Sequence, residues 1–521
     1  IDAMGKKHKN NGSRQQPQSS LKVVNAAIEK SKAGAKGKQN ASGQGLISQV
    51  EVAFKDNRFD DALALIEAVR RSGEVPKLGA VQRWVRLADL VGEEKQVAKL
   101  LAAIMRCVPG SNGPMGAPPG GKNKKDKHAI RRYPDFVPPL TPSQRAWLAA
   151  AAPAGGLAQG GAGPVHQGEG QEGAHAPDAG GASTSASAGA AARYEGAFTL
   201  VPQDGATQPV KRPPNWQELK IWRSQPGVIR FGVDPRVQRV DVPFVGGAFV
   251  LCGVLSPDEC AQLVAATEWL GYAWDVDYNF NPSNPASAAA SAPAAPTAAP
   301  TPAPKAGDPG KDGGKQQHPL LSAARAIAGG DRAAGCVWLA DDSLMGPIYR
   351  RVQALLPQKL CGGSLGGVNV RWRFYRYDKG NVYRPHVDGA WPGSGLSPDG
   401  RLVHDAYGDR WSRLTFLVYL NDDFEGGATT FFTPAPDDPS ALDARGVRPC
   451  AGNILCFPHG DTTGSLVHEG SAVTRGAKYV IRTEVLYTNA GPPNRQPAAP
   501  IAQPQAPLGA GGAVGGGEGG G

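Results

Sequence analysis

Residues 376–388 read RYDKGNVYRPHVD and place a histidine and an aspartate two positions apart, His386 and Asp388. Segments rich in β-branched and aromatic residues surround this stretch, among them LTFLVYL at 414–420 and AKYVIRTEVLY at 477–487. Such short segments, separated by Gly, Pro and Asp, predict strands. On a strand, residues i and i+2 point to the same face, so His386 and Asp388 could bind one metal ion together.

The part of the chain from residue 368 onward is predicted to be mainly β, and the regular spacing of its strands indicates a β-sandwich or jelly roll. The candidate strands are 368–377, 382–387, 414–420, 428–433, 453–457, 465–472 and 477–487. Two amphipathic helices are expected to precede them. One begins at the capping sequence Ser256-Pro257-Asp258-Glu259 and runs to about Leu270, and the other covers 342–356.

Two residues downstream complete a candidate site. His468 lies 82 residues after His386, and Lys478 lies ten residues after His468. Two imidazoles and one carboxylate on one face of an iron ion leave three positions open, enough for a bidentate 2-oxo acid and O2. A dianionic co-substrate then needs a cation at its far end, and Lys478 is a suitable point charge. Arg482 occupies the same face of the same predicted strand and is the alternative for this role.

An H-x-D pair by itself is weak support for a metal site, because a chain of this length contains such pairs by chance. His459-Gly460-Asp461 is a second example, and it reads as a loop because Pro458 precedes it and Gly460 is its centre. We expect His404 and His459 to be surface or supporting residues, with His459 as a reserve ligand because it lies near His468. The combination of His386, Asp388 and His468 with Lys478 favours the metal interpretation.

These residues resemble the Fe(II)/2-oxoglutarate dioxygenases, and within them the catalytic domain of the prolyl 4-hydroxylase α-subunit. The resemblance covers roughly 245–488. It is carried by FVLCGVLSPDE at 249–259, RYDKGNVYRPHVD at 376–388, LTFLVYLNDDFEGGATTFF at 414–432 and HEGSAVTRGAK at 468–478. The resemblance implies a double-stranded β-helix, or jelly roll, as the catalytic domain, with flanking helices.

The resemblance also implies roles for individual residues. His386, Asp388 and His468 would bind iron, and Lys478 would hold the distal carboxylate of 2-oxoglutarate. No catalytic residue beyond the metal ligands is implied. The expected reaction is hydroxylation of a C–H bond with O2, with a peptidyl proline in a protein or peptide as the best single substrate. Fe(II), 2-oxoglutarate and L-ascorbate (vitamin C) are the implied cofactors and co-substrates.

Tyr377 and Thr415 fall where the family places two further co-substrate contacts. From the residues alone, each is an ordinary strand residue whose hydroxyl a neighbour can satisfy. The segment Glu425-Gly426-Gly427 likewise reads first as a turn, in which the glycines permit positive φ.

The chain has 521 residues, of which 69 are Gly and 46 are Pro, and this excludes one uniform globular fold. Four tracts are too poor in large hydrophobic residues to form a core. Residues 45–108 instead show apolar positions at helical spacing and predict three or four helices. The predicted organisation is a basic disordered arm at 1–44, a small all-α domain at 45–108, a low-complexity linker at 109–193, a dioxygenase domain at 194–488 with a disordered insertion at 281–318, and a disordered Gly/Pro-rich tail at 489–521.

The net charge of +10 is concentrated in two segments, 1–44 with net +7 and 121–133 with net +5. Any nucleic-acid contact would therefore belong to these basic arms, and the rest of the chain is near neutral. Two rival functions follow: a catalytically silent jelly-roll binding module, and a nucleic-acid- or protein-binding factor that acts through the helical block and the basic arms.

The seven cysteines are few for this length and form no C-x-x-C pair, so neither a disulfide framework nor a zinc site is expected. No run approaches the ~18 apolar residues of a membrane helix, and no membrane partner is expected. The first thirty residues lack the apolar stretch of a secretory signal. The expected location is the cytoplasm or the nucleus.

Overall fold

The computed structural model describes residues 45–108, 129–151, 193–202, 219–274, 333–460 and 464–488. The predicted arm at 1–44, the insertion at 281–318 and the tail at 489–521 lie outside these ranges, as does most of the predicted linker.

The described helices are α1 (Leu46–Lys55), α2 (Phe59–Ser72), α3 (Leu78–Asp89), α4 (Glu94–Cys107), α5 (Pro142–Ala151), α6 (Pro257–Leu270) and α7 (Asp342–Val352). The first ten strands are β1 (Ile130–Phe136), β2 (Phe198–Leu200), β3 (Ile221–Ser224), β4 (Gln238–Asp241), β5 (Phe249–Cys252), β6 (Ala273–Trp274), β7 (Ala334–Leu339), β8 (Lys359–Leu360), β9 (Gly363–Val368) and β10 (Arg371–Tyr377). The others are β11 (Tyr383–His386), β12 (Gly395–Leu396), β13 (Leu402–Val403), β14 (Arg410–Tyr419), β15 (Glu425–Gly426), β16 (Thr429–Pro434), β17 (Leu442–Val447), β18 (Ile454–Pro458), β19 (His468–Gly470), β20 (Val473–Arg475) and β21 (Lys478–Thr488). Within these ranges no helix has the length and apolar character needed to cross a membrane.

Two sheets face each other and enclose the central core. The larger has the order β2-β3-β7-β10-β21-β14-β18-β5-β4, and the smaller has the order β1-β17-β16-β19-β11. Their inner faces meet in a core that includes Tyr375, Tyr419 and Leu455 of the larger sheet and Phe431 and Val447 of the smaller. This confirms the prediction of a mainly β, jelly-roll fold.

Strand β16 shows how the smaller sheet is covered on both faces. Phe431 points inward, and its ring centroid lies 5.1 Å from that of Phe457. Phe432 is the next residue and therefore points outward, where it belongs to the same hydrophobic core as α1–α4. The four helices thus cover the outer face of the smaller sheet, while α6 and α7 pack on the outer face of the larger one.

The segment predicted to hold three or four helices contains four, between Leu46 and Cys107. Helix α2 is followed by Gly73 in the left-handed conformation, with φ +72°, as expected for a glycine after a last turn. The core of α1–α4 continues into the smaller sheet through Leu442, Ala444 and Val467. The assignment of 45–108 as a separate domain stays a prediction.

The linker prediction is wrong for residues 129–151. Strand β1 pairs in parallel with β17 at the edge of the smaller sheet, with Ile130 opposite Leu442. Helix α5 follows, and Gln144 Nε2 donates to Asn453 Oδ1 at 2.8 Å. The composition of the whole tract hid these elements, because a short segment with Ile130, Tyr133 and Phe136 is averaged with long runs of Gly and Ala around it.

The structure also accounts for two cations of the basic segment 121–133. Arg131 Nη1 lies 2.5 Å from Asp437 Oδ1, and Arg132 Nη1 lies 3.9 Å from Glu469 Oε1. The remaining lysines of that segment lie outside the described residues. These two arginines are therefore engaged within the fold.

Helix α6 begins with the predicted capping box. Ser256 Oγ accepts a hydrogen bond from the Glu259 main chain at 3.2 Å, and Glu259 Oε2 accepts one from the Ser256 main chain at 2.8 Å. The Glu259 carboxylate also accepts two hydrogen bonds of 2.9 Å from Arg351 of α7. These two side chains are 2 % and 0 % exposed, so the pair is buried and joins the two helices.

Replacement of Arg351 by Ala should destabilise the fold by about 3–5 kcal/mol, because the Glu259 carboxylate would stay buried without its partner. Urea unfolding followed by circular dichroism measures this change. Arg475→Ala is the control, since the Arg475–Glu425 pair is exposed and its loss should leave the unfolding midpoint unchanged. Equal unfolding midpoints for the wild type, Arg351→Ala and Arg475→Ala would show that the Arg351–Glu259 pair does not hold α6 and α7 together.

Candidate metal centre

The smaller sheet brings the two predicted imidazole ligands together. His386 ends β11, His468 begins β19, and the antiparallel register places them directly opposite each other. Their ring centroids are 4.2 Å apart. Residues 82 positions apart in sequence thus become one cross-strand pair.

Asp388 completes the group. Its Oδ1 lies 3.5 Å from His386 Nε2, and its Oδ2 lies 3.7 Å from His468 Nε2. One ligand atom from each of the three residues lies within 4.8 Å of the others, a spacing that could hold a metal ion. Two imidazoles and one carboxylate are a donor set that suits Fe(II).

Hydrogen bonds to the main chain fix the tautomer of both histidines. His386 Nδ1 lies 2.8 Å from the Arg384 carbonyl, and His468 Nδ1 lies 3.0 Å from the Leu466 carbonyl. A carbonyl only accepts, so each Nδ1 carries the proton and each Nε2 presents its lone pair to the site. Burial, the largest cause, and the nearby His386 lower the pKa of His468 to about 3, so this imidazole is neutral and able to bind a metal.

Asp388 is held as a carboxylate. Burial alone would raise its pKa, but Arg482 and the two histidines outweigh burial and keep the pKa well below its usual range. Arg482 Nη2 lies 2.8 Å from Asp388 Oδ1, and Arg482 Nη1 lies 3.3 Å from Glu484. The structure therefore places Arg482, the predicted alternative to Lys478, against the carboxylate of the metal group.

A buried hydrogen-bond chain extends from the other oxygen of Asp388. Thr415 Oγ1 donates to Asp388 Oδ2 at 2.6 Å and lies 2.7 Å from His459 Nδ1. His459 Nε2 lies 2.7 Å from Ser412 Oγ, and that hydroxyl accepts from the Trp391 main chain at 2.8 Å. His459 is thus placed behind Thr415 as a supporting residue and is not in the His–Asp–His group.

Lys478 lies in a buried pocket at the start of β21. Its Nζ donates to the Gly427 carbonyl at 2.6 Å and lies 5.1 Å from the ring centroid of Tyr377 and 5.7 Å from that of Tyr419. Among the described residues, no carboxylate pairs with this ammonium group. Burial therefore lowers the pKa of Lys478 to about 7. A buried cation without an anionic partner fits a site for a carboxylate ligand.

The segment Glu425-Gly426-Gly427, which was predicted to be a turn, lies beside this lysine, but Glu425 and Gly426 form strand β15, which pairs with β20. Gly426 and Gly427 have φ of +75° and +64°, in the region that glycine favours. A Cβ atom on Gly427 would lie 2.7 Å from the Phe424 ring and 3.2 Å from Lys478 Cδ, so this position also needs the small residue for space.

Two further predictions concern Tyr377 and Thr415. Tyr377 is buried next to Lys478, and burial raises the pKa of its hydroxyl well above the usual value. Thr415 is engaged with Asp388 and His459, as described above. The assignment of both residues as co-substrate contacts stays a prediction. His404 lies outside the metal group, and burial lowers its pKa to about 4.

Sequence reasoning missed the contact of Arg482 with Asp388, and it left open whether His459 is a surface or a supporting residue. The i, i+4 spacing of Lys478 and Arg482 on one strand indicated a shared face, but not which group each cation meets. The Pro458-His459-Gly460 sequence suggested an exposed loop, whereas His459 is 3 % exposed.

Comparison with known proteins supports this description. Residues 372–483 match the sequence model of the 2OG-Fe(II) oxygenase superfamily. No curated protein sequence matches the chain significantly.

Solved structures similar to this chain include two prolyl hydroxylases and a third protein with 2-oxoglutarate bound. A viral collagen prolyl hydroxylase from Paramecium Bursaria Chlorella virus-1 is 20 % identical, with a TM-score of 0.21 over 32 % of this chain and 87 % of that chain. A prolyl-4-hydroxylase from Pseudomonas putida is 17 % identical, with a TM-score of 0.19 over 32 % and 82 %. HygX from Streptomyces hygroscopicus, with nickel and 2-oxoglutarate bound, is 16 % identical, with a TM-score of 0.21 over 47 % and 84 %.

The identities and TM-scores of these solved structures are too low to assign a family to this chain. The assignment depends on the sequence match and on the geometry of the metal group. The match spans β10 to β21 and includes His386, Asp388 and His468. Residues 372–483 are therefore similar in sequence to the 2OG-Fe(II) oxygenase superfamily, and all three residues of the metal group lie within that region.

Proposed function

We propose that this protein is an Fe(II)- and 2-oxoglutarate-dependent dioxygenase that hydroxylates a C–H bond of a peptidyl proline. The observation that carries the proposal is the group of His386, Asp388 and His468, with ligand atoms within 4.8 Å and both Nε2 atoms available. Such a group occupies one face of a metal ion and leaves room for a bidentate co-substrate and O2.

His386, Asp388 and His468 would hold Fe(II), which supplies the activation of O2 in this chemistry. The overall reaction balances as 2-oxoglutarate, O2 and a substrate C–H giving succinate, CO2 and C–OH. The neutral imidazole of His468 and the ionised Asp388 are in the protonation states that binding of a divalent cation requires. Lys478 would bind the distal carboxylate of 2-oxoglutarate, because none of the described carboxylates pairs with its buried ammonium. L-ascorbate as a reductant is part of the same proposal.

A peptide substrate is supported by an exposed tyrosine beside the metal group, Tyr383. Tyr383 is 40 % exposed, and its ring centroid lies 4.1 Å from that of His386. Tyr375 lies behind it, with ring centroids 6.4 Å apart. Aromatic-lined grooves recognise proline-containing segments through contact with the proline ring. We infer that Tyr383 packs against the hydroxylated proline or against a proline next to it in the peptide.

His386→Ala should abolish the conversion of 2-oxoglutarate to succinate, because two ligands remain where three are needed. The assay uses full-length protein reconstituted anaerobically with Fe(II), then exposed to O2 with ascorbate and without added prime substrate. His404→Ala is the control and should keep the wild-type rate. A succinate rate in His386→Ala equal to that of the wild type would exclude this metal site. The absence of both metal binding and turnover in the wild type would favour the silent binding module.

The affinity for 2-oxoglutarate should fall as the pH rises from 6 to 8.5. Lys478 is mostly protonated below its pKa of about 7 and mostly neutral above it, and only the ammonium form attracts the carboxylate. Isothermal titration of Mn(II)-loaded protein without O2 measures the dissociation constant. Well above the pKa, the fall should approach about tenfold per pH unit.

Two variants at position 478 separate this cause from other titrations. Lys478→Arg keeps its charge throughout the range and should remove most of the pH dependence. Lys478→Met should bind 2-oxoglutarate weakly at every pH. A pH dependence in Lys478→Met that parallels the wild type would show that another group is responsible.

Tyr383→Ala should reduce hydroxylation of a proline-rich peptide while the uncoupled formation of succinate continues, because the change removes a surface for the peptide and no ligand of the metal. Mass spectrometry of the peptide and a succinate assay measure the two reactions in parallel. Trp269→Ala is the control, since this residue is 38 % exposed on α6 and packs against Phe198 on the outer face of the larger sheet. If the wild-type protein forms succinate but does not hydroxylate the peptide, the dioxygenase assignment stands. The proline in that peptide sequence is then excluded as the substrate.

A further inference from the structure

Helix α3 contacts the chain segment from which two of the proposed metal ligands extend. Gln82 Nε2 donates to the main-chain carbonyl of Val387 at 3.0 Å, across a separation of 305 residues in sequence. Val387 is the residue between His386 and Asp388. A Cβ atom on Gly389, two residues after Val387, would lie 3.1 Å from Gln82 Nε2, so the helix approaches the main chain closely here.

The side chain of Val387 is held by the same helices. His386 and Asp388 belong to the metal group, whereas Val387 between them packs on the side of the helices. There Val387 is 6 % exposed and belongs to the hydrophobic core of α1–α4, with Val85 and Trp84 among its members. Both the carbonyl and the side chain of this residue are therefore fixed by the helical unit.

A second contact from α3 reaches the other end of the ligand segment. Asp89 Oδ2 lies 3.4 Å from Arg384 Nη1, and the Asp89 side chain is only 13 % exposed. The carbonyl of Arg384 is the acceptor that holds His386 Nδ1 at 2.8 Å. Helix α3 thus contacts the residue that fixes the tautomer of His386 and the residue that separates the two ligands.

We propose that Gln82 is a positioning residue of the metal centre, acting through the main chain of Val387, and that α1–α4 are a working part of the catalytic unit. This inference depends on the proposed metal site. It assigns to the N-terminal helices a role in holding ligand geometry, in place of a separate nucleic-acid- or protein-binding function. Partners that orient metal ligands typically change metal affinity tenfold to a hundredfold when they are lost.

The test compares Mn(II) affinity in full-length protein without O2, with free Mn(II) measured by electron paramagnetic resonance. Gln82→Met keeps the length of the side chain and removes its donor, and its dissociation constant for Mn(II) should rise about tenfold. Gln82→Glu places an ionised carboxylate against the Val387 carbonyl and should weaken binding at least as much. Arg83→Gln is the matched control, because it removes a surface contact to Glu51 on the same helix unit and should bind like the wild type.

The outcomes separate this inference from the proposed function. Mn(II) binding by the wild type that is lost in His386→Ala, with Gln82→Met equal to the wild type, would overturn the role of Gln82 and leave the metal site intact. Wild-type protein that binds no Mn(II) would overturn the metal site itself. The unfolding temperature of each protein is measured as well. The Mn(II) affinity of a Gln82 variant tests the inference when that variant has the same unfolding temperature as Arg83→Gln. The shape of the Co(II) absorption spectrum in the visible range gives a second readout of ligand geometry. It should change in the Gln82 variants and stay unchanged in Arg83→Gln.

Discussion

The cross-strand pairing of His386 with His468 is the interaction on which the site depends. His386 has only Asp388 of the metal group near it in sequence, and the antiparallel register of β11 and β19 places His468 opposite His386. A shift of that register by one residue would turn one ring to the other side of the sheet. Much of the surrounding structure maintains this register, including β16, which pairs with β19 so that Phe431 lies opposite His468.

Electrostatic arrangement then separates two kinds of buried polar group. Around Asp388, positive and negative charges alternate, since Arg482 lies between Asp388 and Glu484. This alternation satisfies the charges within the fold. Around Lys478 there is a cation with two aromatic rings and one carbonyl, but without a carboxylate among the described residues. The charges around Asp388 are therefore already paired within the protein, whereas the surroundings of Lys478 are suited to bind an anion. This difference gives Lys478, in preference to Arg482, the role of co-substrate partner in our proposal.

Much of the fold could be predicted because its signals are local. The capping sequence at Ser256, the positive φ of Gly426 and Gly427 and the alternating strands can each be predicted from residues a few positions apart. The metal group was predicted from residue types and from family resemblance, since no local rule relates His386 to His468. Strand β1 was missed because its composition is diluted by the Gly- and Ala-rich residues around it. The contacts of Gln82 and His459 could not be predicted, because they depend on which elements meet after folding, over separations of 305 and 44 residues.

The parallel pairing of β1 with β17 has a consequence for the order in which this protein folds. The partners of α1–α4 and of β1 lie near the C-terminal end of the described chain, so they leave the ribosome several hundred residues later. Helices with mainly local contacts form early, whereas pairings of high sequence separation are slow. During synthesis, α1–α4 therefore form before their partners in the sheet. Until then, the apolar surface that later covers Phe432 and Val467 is exposed to solvent. That interval makes the nascent chain vulnerable to aggregation and gives chaperones a surface to bind.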